Sequence, residues 1–131
     1  MALDRTALLK AMQLKTETVE IEGGEVIVSE IGAADYIKLW SDPKNQKATG
    51  EKVIKDGKEE DVMVIDMSKF TPALIAYSVV DEAGERLFTD EDVAVLGRSS
   101  QGIFLKLAEK ARKMNGLSGN ESKNSEPIVA D

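Results

Sequence analysis

A chain of 131 residues with 42% hydrophobic content can bury a single core. Its 24 acidic against 17 basic residues leave a net charge of −7, which repels a phosphate backbone and argues against nucleic-acid binding. With no Cys and no His, disulfides, thiolate nucleophiles, Cys-based zinc sites and the commonest general base are excluded; with neither a bilayer-length apolar run nor a signal-peptide pattern in Met1 to Leu14, the expectation is a cytosolic protein away from membranes.

In chain order, Leu3, Ala7, Leu8, Ala11 and Met12 recur at helical spacing behind a candidate cap at Asp4, which predicts a short amphipathic helix that needs a partner surface. From Thr16 the period changes to two. Val19 and Ile21 alternate with Glu20 and Glu22, and Gly23-Gly24 supplies a turn, so a β-hairpin is expected with Glu22 opposite Glu25, Ile21 opposite Val26 and Val19 opposite Val28. Ala33, Tyr36, Ile37 and Trp40 predict a second helix ending before Asp42-Pro43. Residues 43–61 are dense in charge, with Val53 and Ile54 as their apolar content, and read as a mobile excursion; Asp56-Gly57 suits a hairpin turn, but Val53-Ile54 does not align around it with Val62-Met63-Val64-Ile65.

Order is expected again from Val62, leading into a helix from about Met67 to Val79 with Asp66 or Ser68 as cap, Pro72 being tolerated only in its first turn. Phe70, Leu74, Ile75 and Tyr77 are its core candidates. Asp81-Glu82-Ala83-Gly84 reads as a turn, Leu87-Phe88 as a short extended piece, and Thr89 with Asp92 as a capping box opening a helix that Gly97 ends. Ser99 is the expected cap of the last helix, whose stripe is Ile103, Phe104, Leu107, Ala108, Ala111 and Met114, with Asn115-Gly116 as the stop. The expected architecture is α+β and helix-dominated, an N-terminal β-hairpin packed with short helices in a single domain over residues 1–116, with a mobile loop at about 43–61 and a flexible polar tail at 117–131.

Candidate chemistry centres on Asp81, Glu82, Glu85, Asp90, Glu91 and Asp92. Asp81 to Asp92 has the length of a calcium loop, but Ala83 stands at its third position and Arg86 where the sharp turn requires Gly. A turn and a helix cap account for these carboxylates without a metal. The acidic pairs lie in polar stretches, unlike the carboxylates of an acid–base site, and Gly23-Gly24 leads into a strand rather than a phosphate-binding helix. The chain is therefore expected to be no enzyme, with no catalytic residue, metal or cofactor. On the last helix Lys106, Lys110, Arg112 and Lys113 either complement the helix dipole or form a docking face for an acidic partner. Leu105 and Ile27 lie off the apolar faces of their elements.

The stretch from Phe70 to Gly97, with its apolar helix, the turn Asp81 to Gly84, Leu87-Phe88-Thr89 and the acidic helix start Asp90 to Asp92, followed by Ala111 to Leu117, resembles the tail assembly chaperones of long-tailed (siphovirus-type) bacteriophages. The similarity covers roughly the second half of the chain. It implies a small cytoplasmic protein of the host cell that binds the long apolar tape-measure protein, keeps it soluble, recruits major tail (tube) protein, and is absent from the mature virion. A ribosomal-frameshift-extended form of the same protein is a further implied partner, and Ser122-Lys123-Asn124 is compatible with a slippery codon run. A homo-oligomer is compatible with all of this. The expected partner-binding residues are Leu8, Met12, Tyr36, Trp40, Ile103 and Leu107. The competing readings are a structural tail or head–tail component, a small cytosolic adaptor for one folded protein, and a magnesium enzyme using Asp90 and Asp92.

Overall fold

The computed structural model describes residues 2–117. Its elements run α1 (Arg5–Ala11), β1 (Thr16–Ile21), β2 (Gly24–Ser29), α2 (Ala33–Ser41), β3 (Gln46–Lys55), β4 (Lys58–Ile65), α3 (Met67–Ser78), β5 (Val79–Val80), α4 (Val93–Leu96) and α5 (Gln101–Met114). Among the described residues helix covers 45% and strand 28%, so the α+β, helix-dominated expectation holds. The strands form two separate sheets, β1-β2-β5 and β3-β4.

The first hairpin forms, but its turn is displaced. Glu22 and Gly23 take the two positive-φ positions (31° and 85°), so Glu20 faces Glu25 and Val19 faces Val26. A two-residue turn of the twist-matched kind favours glycine at its second position, and Gly23 takes it. The displacement is two residues, so every side chain keeps its face: Val19 and Val28 are buried, and Ile21 and Val26 pack beside them. β5 extends the sheet by pairing Val79 with Val28 and Val80 with Ile27, which covers the stray Ile27.

α2 spans the expected residues but presents a different face. Leu39 is its fully buried residue, Tyr36 and Trp40 are half-buried, and Ile37 is 65% exposed. The Trp40 ring lies 4.5 Å from the Phe70 ring, centroid to centroid, and this contact turns the helix so that Leu39 rather than Ile37 points inward. The carbonyls at its C-terminal end find side-chain donors: Asn45 Nδ2 donates to Leu39 O and Gln46 Nε2 to Trp40 O, both at 3.0 Å.

Residues 43–61, expected as a mobile excursion in which Asp56-Gly57 suited a hairpin turn that the apolar residues did not support, hold a short 3-10 turn at Pro43–Asn45, all of β3 and the first half of β4. Asp56-Gly57 is the turn, at φ 51° and 78°. The misaligned apolar residues do not pair with one another: Val53 and Ile54 face Glu60 and Glu59, Val64 and Met63 face Lys47 and Ala48, and a bulge between Ala48 and Lys52 separates the two stretches.

α3 is the centre of the molecule, buried at Phe70, Pro72, Ala73, Leu74, Ile75, Ala76 and Ser78, as a helix apolar on nearly all sides should be. Asp66 caps it. Its Oδ1 accepts from the Ser68 amide at 3.1 Å and the Ser68 hydroxyl at 2.7 Å, and that hydroxyl holds the Asp66 carboxyl below its ordinary range. Pro72 lies beyond the first turn, against expectation; the carbonyl it leaves without a donor belongs to exposed Ser68 and can reach water.

The turn after β5 forms as expected, with Asp81 Oδ1 accepting from the amides of Ala83 and Glu85 and Gly84 at φ 85°. The Thr89–Asp92 capping box is present and opens a 3-10 turn that runs into α4. The cap of α5 is Ser100, one residue later than expected, because the Ser99 hydroxyl donates instead to Val95 O at the end of α4. On α5, Leu107, Ala108 and Ala111 are buried while Ile103, Phe104 and Met114 pack at the margin of the core. Asn115 closes the helix, and its Oδ1 accepts from the Ile31 amide at 2.8 Å, tying the end of α5 to the end of the first hairpin. Leu117, assigned from sequence to the tail, packs against the core; residues 118–131 lie outside the described part.

Candidate partner-binding surface

α1 is built by its cap. Asp4 Oδ1 accepts from the Ala7 amide at 2.8 Å, and Leu8 and Met12 donate to Asp4 O and Leu8 O to close the turns. The helix has seven residues and none is buried. Leu3, Leu8, Leu9, Met12 and Leu14 are all exposed, Leu8 by 47% and Met12 by 67%. So short a helix is marginal in water on its own, and no apolar face of the described chain covers it. It is held at its C-terminal side by Lys15, whose amide donates to Glu30 Oε1 at 2.8 Å and whose carbonyl accepts from the Glu30 amide at 2.9 Å. Arg5, Lys10 and Lys15 border the leucines, a basic segment in an acidic chain.

The six sequence-derived residues fall into three situations. Leu8 is exposed on α1 and Met12 is exposed at its C-terminal cap. Tyr36 and Trp40 belong to an aromatic cluster in which their centroids are 6.0 Å apart and Trp40 rests on Phe70. Trp40 is half-buried there, with its Nε1 lacking an acceptor. Ile103 is half-buried on α5, and Leu107, 7% exposed, is a core residue rather than a contact surface. Leu9 and Leu14 are also exposed but were not among the expected residues: Leu9 falls off the stripe and Leu14 lies beyond the end of the helix, and the available signal was the density of large apolar residues from Leu3 to Leu14.

The α5 cations turn towards the first hairpin. Lys106 Nζ donates to Glu20 O at 2.8 Å, Lys110 pairs with the Glu17 carboxylate, and Lys113 lies 3.9 Å from Glu109. Two of the four are thereby engaged by β1, a partner that neither sequence reading named.

A groove of about 560 Å³ lies between α3 and α4, with Pro72, Ala73 and Tyr77 on one side and Val93 and Ala94 on the other. Two of its lining residues, Tyr77 and Asp90, are held by Arg86: the guanidinium carbon is 4.2 Å from the Tyr77 ring centroid, Nε donates to Ala76 O at 3.1 Å and Nη2 to Asp90 Oδ1 at 3.1 Å. Burial, reinforced by the Asp90 charge, pushes the Tyr77 hydroxyl above its ordinary value, with Arg86 opposing. The acidic cluster is thus divided among local tasks: Asp81 caps its own turn, Asp90 pairs with Arg86 and Asp92 completes the capping box. Among the described residues no group of three or more acidic side chains is placed to hold a metal ion, and no helix is long and apolar enough to cross a membrane. No protein-family model, no curated protein and no solved structure matches the chain.

Proposed function

We propose that the chain is a tail assembly chaperone of long-tailed bacteriophages, which binds the tape-measure protein in the host cytoplasm, keeps it soluble, recruits tail-tube subunits and leaves before the virion is complete. The observation that carries this reading is the segment around α1: a capped helix that buries none of its own residues, within a stretch from Leu3 to Leu14 that exposes five large apolar side chains. Such a helix suits the groove or stripe of another apolar helix, read through anchors at three- and four-residue spacing. Its bordering cations favour acidic residues flanking that stripe. The net charge of −7 keeps a complex with an apolar partner dispersed. In this reading the chain performs no catalytic step, and a frameshift-extended form shares the α1 surface.

Co-expression tests it. The chain should keep a tape-measure protein in the soluble fraction, and Leu8→Asp with Met12→Asp should abolish that effect while leaving thermal unfolding within about 2 °C, since both side chains are exposed. Equal precipitation with and without the chain would sink the chaperone reading. Finding the chain in purified particles by mass spectrometry would replace it with a structural tail component.

A further inference from the structure

Within the β3–β4 arm Lys52 stands opposite Asp61, but no charged pair of the arm closes a salt bridge. β3 carries Lys47, Lys52 and Lys55 with Glu51, and β4 carries Glu59, Glu60 and Asp61 with Lys58, yet among the described residues the salt bridges all lie elsewhere. At the tip Lys55 stands directly opposite Lys58, a like-charge pair that weakens the ladder. Both outer edges are open, and a two-stranded ribbon is marginal in water without a third strand or a covering helix.

We propose that β3 pairs with β3 of a second copy of this chain, antiparallel across a two-fold axis centred on Val53. The two-residue turn makes Lys55 and Lys58 a hydrogen-bonded pair, so by alternation the backbone groups of Lys52 and Ile54 point to the free edge. Centring on Val53 sets Lys52 opposite the partner's Ile54 as a hydrogen-bonded pair. Val53 meets the partner's Val53 as a closer, non-hydrogen-bonded pair, and Glu51, next to the bulge with its amide turned to Thr49 Oγ1, is set opposite the partner's Lys55, a pairing repeated by symmetry. Each Glu51 thereby brings a carboxylate to a Lys55–Lys58 pair that has none. Ile54, 76% exposed in the single chain, gains a strand beside it. A register centred on Ile54 would set Lys52 against Asp56, which sits in the turn at φ 51°, and one centred on Lys52 would set Lys55 against Thr49. Pairing β4 with β4 about Glu60 would oppose Glu60 to its own copy and Glu59 to Asp61, which like-charge repulsion disfavours.

The chain has no cysteine, so Val53→Cys in the full-length protein places one thiol at the axis, where the Cβ separation of about 4.5–5.5 Å expected of such a pair lies close to disulfide geometry. Under mild oxidation it should form covalent dimers at least about tenfold faster than Glu82→Cys, whose thiol sits on the exposed turn after β5. Sedimentation equilibrium supplies the second readout. Glu51→Lys alone and Lys55→Glu alone each set like charges at both symmetric positions and should weaken the dimer about tenfold, while the double variant should recover wild-type affinity. Val53→Cys crosslinking no faster than Glu82→Cys, a double variant as weak as the singles, or a wild-type chain that stays monomeric would each overturn the pairing. Crosslinking of Val53→Cys only to a cysteine on β4 would overturn it in favour of a head-to-tail array.

Discussion

The β1–β2 and β3–β4 hairpins both close on an acidic residue followed by glycine, Glu22-Gly23 and Asp56-Gly57, with both residues at positive φ in each. Beyond the turn they diverge. The first collects Val19, Ile21, Val26 and Val28 on one face, which packs into the core beside α5, and it gains β5 as a third strand. The second divides Val53 and Ile54 between opposite faces, and β3 is exposed along its length apart from Gln46 at its base. Turn chemistry decides that a hairpin forms, and the alternation beyond it decides whether the hairpin has anything to pack against.

The largest effect that would test this contrast comes from placing one charge in each hairpin. Val28 is fully buried between β1 and β5, so Val28→Asp strands an unpaired carboxylate in the core and should cost about 4 kcal/mol, enough to unfold much of the population. Ile54→Asp on the arm should change stability by less than about 0.5 kcal/mol, because the side chain is already in water. Urea unfolding followed by Trp40 fluorescence reads both at low protein concentration. Comparable losses for the two would mean that the arm packs on the domain.

The same contrast explains which parts of the fold were legible in the sequence. Helix ends carried by a cap, such as Asp4, Asp66 and Thr89 with Asp92, could be placed because the signal is local: a side chain meeting an amide two or three residues away. The face of α2 could not, since Ile37 and Leu39 are both apolar at plausible spacing and the contact of the tilted Trp40 ring with Phe70, distant in sequence, chooses between them. The arm was obscured because the symmetric register around Asp56-Gly57 sets Val53 and Ile54 against Glu60 and Glu59 instead of against other apolar residues, and because a bulge between Ala48 and Lys52 then shifts the pairing nearer the base. Of the candidate surface, Leu8 and Met12 were legible as an unpaired amphipathic stripe, whereas Leu107 had the same periodicity and turned inward; only tertiary packing separates the two.

A smaller effect is expected where the anchored hairpin meets α5. Asn115 Oδ1 receives the Ile31 amide just beyond β2, in a partly buried setting, while its Nδ2 donates to Ala111 O. Asn115→Ala leaves the Ile31 donor unsatisfied and should cost about 2 kcal/mol in urea unfolding. Asn115→Asp keeps the acceptor and should recover part of that loss. If Asn115→Ala were neutral, the junction between hairpin and helix would be held by apolar packing alone.

A smaller effect than that of Asn115→Ala is expected from the removal of most of the arm. Ala48 and Met63 are cross-strand partners, so replacing residues 49–62 by Asn-Gly joins them through a turn that suits a two-residue connection. The base of the arm stays in place, including the bond from the Asp66 amide to Asn45 O at 2.8 Å that links it to the start of α3. No residue in the excised stretch is buried, so little apolar contact is lost, and shortening the connection removes closure entropy at about 0.6 kcal/mol per halving of its length. The two terms oppose each other, and the stability of the remaining fold should stay within about 1 kcal/mol of the full chain. Association through β3 should be lost in the same variant, while solubilisation of a partner through α1 should persist. Loss of both together would tie the arm to the α1 surface; loss of association alone would establish that the molecule binds its own kind and its client with different elements.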